Sequence, residues 1–401
     1  MKYSQAFWRI PSARKIAAIA CGMVFITSCG SDLMTPGGGG TGTQETTLSV
    51  GPISGFGSVI INGVRYDDSS ATVSTDSGIS LLPSDLRLGM MVELRGSANT
   101  TTNIGIANSV TVFSEIKGVV ESVSVNNIVV NGLTVNLVAT TVFDNLSFPV
   151  VGDFVEIYGV FDPVNNSISA TRIERKSIDN FKLRGVVSAW DSSNTQFVLG
   201  ATLVDYGGAT LPQGFGNGVS VRAYAAAAPS GSVWPVSGVR LIQVSSSSDG
   251  DRVEIEGVVD RFTSLSDFSI NGLLIDASNA VFEDGSSQDL MAGRWVEAKG
   301  NIADGRLVAT ELEFEDGSGN SSSGGSDDSF EVTGVVENFV GLNSFSVRNT
   351  RIDASQSPEF DRGTAADLAN GVCVEVKGDP VTDSLGTVIR ATEVKFDDDC
   401  F

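Results

Sequence analysis

The octet "GDFVEIYG" occupies residues 152–159, and its text returns as "GMMVELRG" at 89–96, "GRWVEAKG" at 293–300 and "GVCVEVKG" at 371–378. Within each copy the residues alternate. One side carries Met90, Val92 and Leu94, then Asp153, Val155 and Ile157, then Arg294, Val296 and Ala298, and last Val372, Val374 and Val376. The other side carries Glu93 with Arg95, Glu156 with Tyr158, Glu297 with Lys299, and Glu375 with Lys377. A period of two with one apolar side is the pattern of a half-buried antiparallel strand. The bounding glycines let such a strand bend or be approached closely, as small curled sheets require.

Each octet sits inside a longer pattern, the mark of a repeat architecture. A Gly followed by apolar residues comes first: "GPIS" at Gly51, "GVVE" at Gly118, "GVVS" at Gly185, "GVVD" at Gly257 and "GVVE" at Gly334. A strand-like run then closes on Asn-Gly or similar, as "SVIING", "NIVVNG", "FSING" and "FSVRN". The octet follows, and after it "ANSVTVF", "ATRIER", "ATELEF" or "ATEVKF". Five units result, the third the most eroded, with "GVSVRAYA" at Gly218 as its octet. Asp85, Asp289 and Asp367 open "DLRLG", "DLMAG" and "DLANG", which read as one capped helical turn ahead of the octet. The order strand, strand, strand, helical turn, strand, strand is that of an OB-type barrel. The expected fold is all-β, with about five tandem small OB-like β-barrels arranged as beads, since solenoid repeats are shorter and cannot close alone. A unit of this size buries only about 60% of its unfolded surface, so each barrel is expected to lean on its neighbours.

The text "GFGSVIINGVRYDDSSATV", "DLRLGMMVELRG" and "ANSVTV" in the first unit resembles the bacterial domain-of-unknown-function family 5666, found in secreted or lipidated proteins and sometimes in tandem. The resemblance is strong over residues 51–113, good in units two, four and five, and weak in unit three. It implies a location and an architecture, and it carries no catalytic residues.

The N-terminus reads as an address. "MKYSQAFWRIPSARKIAAIACGMVFITSC" has a basic, acid-free start, an apolar run from Ile16 to Ile26 and small residues before a cysteine. That is the layout of a secretory signal. Ile26-Thr27-Ser28-Cys29 resembles the bacterial lipobox, which makes Cys29 the expected acylated residue. Cleavage at Cys21 would leave about five apolar residues, short of the roughly 7 to 15 required. An uncleaved anchor would need roughly 20. Gly30 follows the cysteine in place of the aspartate that retains lipoproteins in the inner membrane under the enteric sorting rule, so the outer membrane is expected. The side of that membrane is left open. The organisation is then a signal peptide at 1–28, a flexible tether at 29–49, repeats at 50–113, 114–176, 181–246, 251–315 and 330–401, and a flexible linker at 316–329.

Composition removes whole classes of function. The chain of 401 residues has no histidine, which excludes imidazole-based triads, His-ligated metals and an imidazole pH switch. Acidic residues number 48 against 26 basic, and loss of Lys2, Arg9, Arg14 and Lys15 with the signal deepens the imbalance. Such a surface repels phosphate backbones, so no nucleic-acid partner is expected. No cofactor, metal site or catalytic residue is expected either. The acidic groups Asp249/Asp251, Asp327/Asp328 and Asp397/Asp398/Asp399 read as solvated runs, because none matches a calcium loop.

Two sets of residues remain as candidates. Phe154, Tyr158, Tyr224 and Trp295 lie on the outward side of the octets, where aromatics either stack on a sugar or pack against an adjacent barrel. Cys373 and Cys400 could bridge in an oxidising compartment, closing a loop of 27 residues. Pairing Gly378 near Val388 would set Cys373 opposite about Glu393, so the bridge would require the acidic tail to fold back. The expected function is that of a non-enzymatic, lipid-anchored envelope protein serving as a multi-domain scaffold or protein-interaction module. Its membrane contact runs through the N-terminal lipid, with an envelope protein or glycan as partner. The rival is a glycan- or peptide-binding module that uses the aromatics on barrel faces.

Overall fold

In the computed structural model, which describes residues 44–99, 101–229, 233–244, 247–315 and 329–397, every octet contributes the fourth main strand of its repeat. These strands are Met91–Asn99, Phe154–Asp162, Ser220–Ala225, Trp295–Ala303 and Cys373–Asp383. The chain is all-β, and the helical turns among the described residues are the short 3-10 turns Pro83–Asp85 and Ala365–Asp367. Val92, Leu94, Val155, Ile157, Val296, Ala298, Val374 and Val376, the apolar side of the alternation, are all buried. The signal peptide, Cys29 and the tether as far as residue 43 lie outside the described residues, as do linker residues 316–328. The first strand, Gln44–Pro52, begins inside the span expected to be tether.

Repeat 4 shows the pairing most plainly. Its first strand, Arg252–Ser264, pairs antiparallel with the second, Asp267–Ile270, and with the fourth, Trp295–Ala303. The third strand, Leu273–Asp276, pairs antiparallel with the second and parallel with the fifth, Arg306–Phe314. The fourth and fifth strands form a hairpin, so pairing runs round a closed circuit in the order first, second, third, fifth, fourth, first. Repeats 2 and 5 follow the same circuit. The second and third strands are joined by Asn62-Gly63, Asn131-Gly132 and Asn271-Gly272, with positive φ at both residues, as a two-residue type I′ hairpin demands. Repeat 5 makes the same turn with Arg348-Asn349.

The octet's glycines have separate tasks. The opening one turns the chain into the strand at positive φ, as at Gly293 and Gly371. The closing one sits where the register of the fourth and fifth strands shifts, at Gly96, Gly159, Gly300 and Gly378. A Cβ on Gly300 would overlap the carbonyl oxygen of Val308, so this bulge admits no side chain.

The Asp before the octet closes the helical turn, where the sequence suggested that it opens one. The N–H groups of Leu82, Ser286 and Thr364 donate to the carboxylates of Asp85, Asp289 and Asp367 three residues on, at 2.8–2.9 Å, and in repeat 2 the octet's own Asp153 takes the Val150 N–H in the same way at 3.0 Å. The carboxylate thereby satisfies a backbone donor left free at the start of the turn.

The expectation of separate beads is corrected by pairing between repeats, which joins the strands into a continuous, solenoid-like sheet. Thr47–Val50 of repeat 1 runs parallel to Arg252–Ile255 of repeat 4, and Gly55 and Phe56 pair with Glu331 and Val332 of repeat 5. Asp144 of repeat 2 pairs with Gly386 of repeat 5, and Lys117 of repeat 2 with Lys182 of repeat 3. The cores are shared as well. One hydrophobic cluster mixes repeat 1 with repeat 5, a second mixes repeat 2 with repeat 3, and a third places Leu48 and Val50 among the core residues of repeat 4. The physical reason is that small units expose much of their apolar surface when alone and recover that burial by fusing.

Candidate functional site

The charged side of each octet lies on a rung of directly opposed residues from the first, fourth and fifth strands. Its chemistry differs from repeat to repeat. The rung is Val50, Glu93 and Thr111 in repeat 1, and Lys117, Glu156 and Glu174 in repeat 2. It is Thr333, Glu375 and Lys395 in repeat 5. Repeat 3 carries three arginines, Arg184, Arg222 and Arg240. Repeat 4 carries three glutamates, Glu256, Glu297 and Glu313.

The basic rung is filled by acids from elsewhere in the chain. Glu115, in the connection between repeats 1 and 2, is fully buried and accepts from Arg184 Nη1 at 2.6 Å and from Arg222 Nη2 and Nε at 3.0 and 3.1 Å. Burial pushes its carboxyl up, but Arg184 and Arg222 together outweigh burial and hold it below the usual carboxylate range. Asp76 of repeat 1 lies 3.5 Å from both Lys182 and Arg222, accepts from the Tyr224 hydroxyl at 3.1 Å, and gives its backbone carbonyl to Arg240. Arg184 also reaches Asn271 of repeat 4 at 2.8 Å. These contacts, buried at Glu115 and partly exposed around it, tie repeats 1, 2, 3 and 4 at one junction.

The acidic rung has a different surrounding. Glu283 lies opposite Glu313 and extends the row to a fourth glutamate. Glu254 and Glu311 flank Lys299 on the next rung, and Glu315 follows the fifth strand. Lys299 Nζ sits 3.1 Å from Glu297 and 3.0 Å from Glu311, and Arg252 pairs with Glu254 at 2.6 Å. Glu297 is only 8% exposed, and its Oε1 has no hydrogen-bonding partner. Burial, together with repulsion from Glu254 and Glu313 that Lys299 only partly offsets, pushes its carboxyl up to about 7. Burial and the neighbouring Glu315 and Glu297 push Glu256 up as well. Oxygens of Glu297, Glu313 and Glu315 all lie within 4.8 Å of one another, as do those of Glu283, Glu311 and Glu313. Local spacing hides this cluster, because its members come from four strands. Aligning Glu297 with Glu313 across the hairpin, allowing one extra residue at the bulge, would have revealed it.

The residues expected to form an aromatic ligand face are not brought together, and two of them are buried. Phe154 packs edge-on against Phe181 of repeat 3, with ring centroids 5.3 Å apart. Tyr158 lies in the core shared by repeats 1 and 5. Tyr224 is held by Asp76 and flanked by Lys182 and Arg240, and the Trp295 indole N–H donates to Glu256 at 3.0 Å. The correction has one cause: the outward side of an octet is covered by a neighbouring repeat or by its own charged rung. Cys373 is disulfide-bonded, while Cys400 lies outside the described residues. The expected register is also corrected. The last hairpin extends to Asp383 and Gly386, so Gly378 opposes Ala391, and the Asp397 N–H donates to the Cys373 carbonyl at 3.1 Å. Asp397 therefore lies beside Cys373 without the last described residues folding back.

Among curated proteins there is no match. Among solved structures, a chain described as "drosophila Unr CSD456" aligns at 13% identity over 50% of this chain and 98% of that one, and its TM-score of 0.16 carries no weight for the fold. Repeats 1 and 3 lie outside the segments matched by a family model. Three successive segments, residues 117–174, 256–313 and 333–395 in repeats 2, 4 and 5, match the model of a domain of unknown function (DUF5666).

Proposed function

We propose that this is a non-enzymatic, lipid-anchored protein of the bacterial envelope. Cys29 is the acylated residue, and five fused repeats form a rigid scaffold that presents protein-interaction surfaces in the outer membrane. In this reading each closed circuit of strands is a small OB-type barrel, supported by the first, second, third, fifth, fourth order of pairing within repeats 2, 4 and 5. The observation that carries the scaffold is the junction at Glu115. Buried ion pairs there link the repeats, which favours one stiff body over flexible beads. The lipobox-like Ile26-Thr27-Ser28-Cys29 supports the anchor.

The test is fractionation of cells that make the C-terminally tagged protein, with and without Cys29→Ala, followed by crosslinking. The wild type should sediment with outer membranes and carry one large envelope partner, and the variant should stay out of the membrane fraction. Wild-type protein that is soluble, or that crosslinks to nothing, would sink the reading. A second reading, capture of a glycan or peptide, has one observation in its favour. A groove of about 380 Å³ in repeat 5 is lined by polar groups that include Asn343, Arg351, Asp353, Asp383 and Arg390.

A further inference from the structure

We propose that the glutamate rung of repeat 4 is a binding site for a hard divalent cation of calcium's size, held by Glu297, Glu313 and Glu315. Three observations carry it. First, the same rung in repeats 2 and 5 contains a lysine, and the arginine rung of repeat 3 has Glu115 and Asp76 built against it. Repeat 4 alone places acids on the first, fourth and fifth strands together. Second, the three carboxylates converge with oxygens within 4.8 Å of one another. Two calcium–oxygen bonds of roughly 2.3–2.6 Å set end to end span a similar distance. Third, Glu297 is more than nine-tenths buried and keeps Oε1 without a partner, while Lys299 is divided between Glu297 and Glu311.

A buried carboxylate oxygen with no donor is costly unless a charge or proton meets it. A cation would meet it, with water completing the shell on the solvent side, since Glu313 and Glu315 are only partly buried. Magnesium fits less well, because it demands near-ideal octahedral geometry and gives up its waters reluctantly. Glu256, the first-strand member of the rung, has its carboxylate fixed by the Trp295 indole and is not required as a ligand. The site stands apart from the scaffold reading, and either can fail alone.

The experiment is calorimetric titration of the soluble full-length Cys29→Ser chain with calcium chloride in chelator-treated buffer, alongside thermal melts. One saturable site is expected, with a dissociation constant on the order of 10⁻⁴ to 10⁻³ M, the range of extracellular calcium modules. Glu297→Gln and, separately, Glu313→Gln should each weaken it at least about tenfold, whereas Asp249→Asn in a solvated run should leave it unchanged. Without calcium, Glu297→Gln should melt no lower than the wild type, because it relieves repulsion, and calcium should no longer raise its melting temperature. Wild-type protein that shows no saturable heat up to about 5 mM calcium overturns the proposal. So does binding that survives both variants, which would be diffuse counterion attraction to an acidic chain.

Discussion

Replacing Glu115 by Gln should produce one of the largest losses of stability available from a single polar side chain in this protein. The carboxylate is fully buried and serves Arg184 and Arg222, whose side chains are only 4% and 8% exposed. Removing one partner of a buried ion pair costs about 3–5 kcal/mol, mainly because the remaining charge is left uncompensated. Asp76 still lies 3.5 Å from Arg222, so the low end, about 3 kcal/mol, is expected. Equilibrium urea unfolding gives the number directly. Glu393→Gln, which removes a half-exposed pair with Lys377 at 3.7 Å, serves as control and should cost under about 1 kcal/mol. The pH dependence has a definite sign. Glu115 titrates below its ordinary value of 4.5 in the folded chain, so its contribution is fully present above that pH and fades as pH falls through the lowered value. The gap between wild type and variant should be flat from pH 8 to about 5 and close only in stronger acid. A loss below about 1 kcal/mol at neutral pH would refute the assignment of Glu115 as the anchor of the junction.

Other outcomes follow from the same contacts. Gly300→Ala places a Cβ on the Val308 carbonyl at the hairpin bulge and should cost about 1–3 kcal/mol by differential denaturation, whereas the same change at the open turn residue Gly305 should strain only the local φ. Asn349→Gly should stabilise repeat 5 by about 0.5–1 kcal/mol, since Gly suits the positive φ of that turn better and Arg348 is untouched. A non-reduced peptide map should join Cys373 to Cys400, and reduction should cost about 3–4 kcal/mol in the chain-entropy model for a loop of 27 residues. A free thiol at Cys400 in the native chain would contradict that pairing.

The strands and hairpins were legible because their signals are local. Val155 and Ile157 alternate with Glu156 and Tyr158, and Asn131-Gly132 announces its own turn. The packing of repeats against each other was not legible. An aromatic such as Phe154 occupies the same alternate position whether it faces water or the ring of Phe181, and period-two patterning cannot tell the two apart. The glutamate rung escaped notice for a related reason. Glu256, Glu297 and Glu313 meet only after three strands are aligned, and the bulge at Gly300 shifts the register by one. The same limit applied at the C-terminus, where the length of the last hairpin decides what lies opposite Cys373. Glu115 carries no local sequence signal, because its partners Arg184 and Arg222 lie 69 and 107 residues away in repeat 3.

Fusion of the five repeats into one body is tested most directly by small-angle X-ray scattering from the soluble chain beginning at Gly42, the start of the compact unit. A folded body of that length has a radius of gyration of roughly 21 Å, whereas separate units of about 11 Å each, strung end to end, would exceed roughly 30 Å. A value near the first, unchanged by moderate salt, is expected of repeats joined by backbone pairing and buried charge. A value above the second would contradict the fused block and restore the beads.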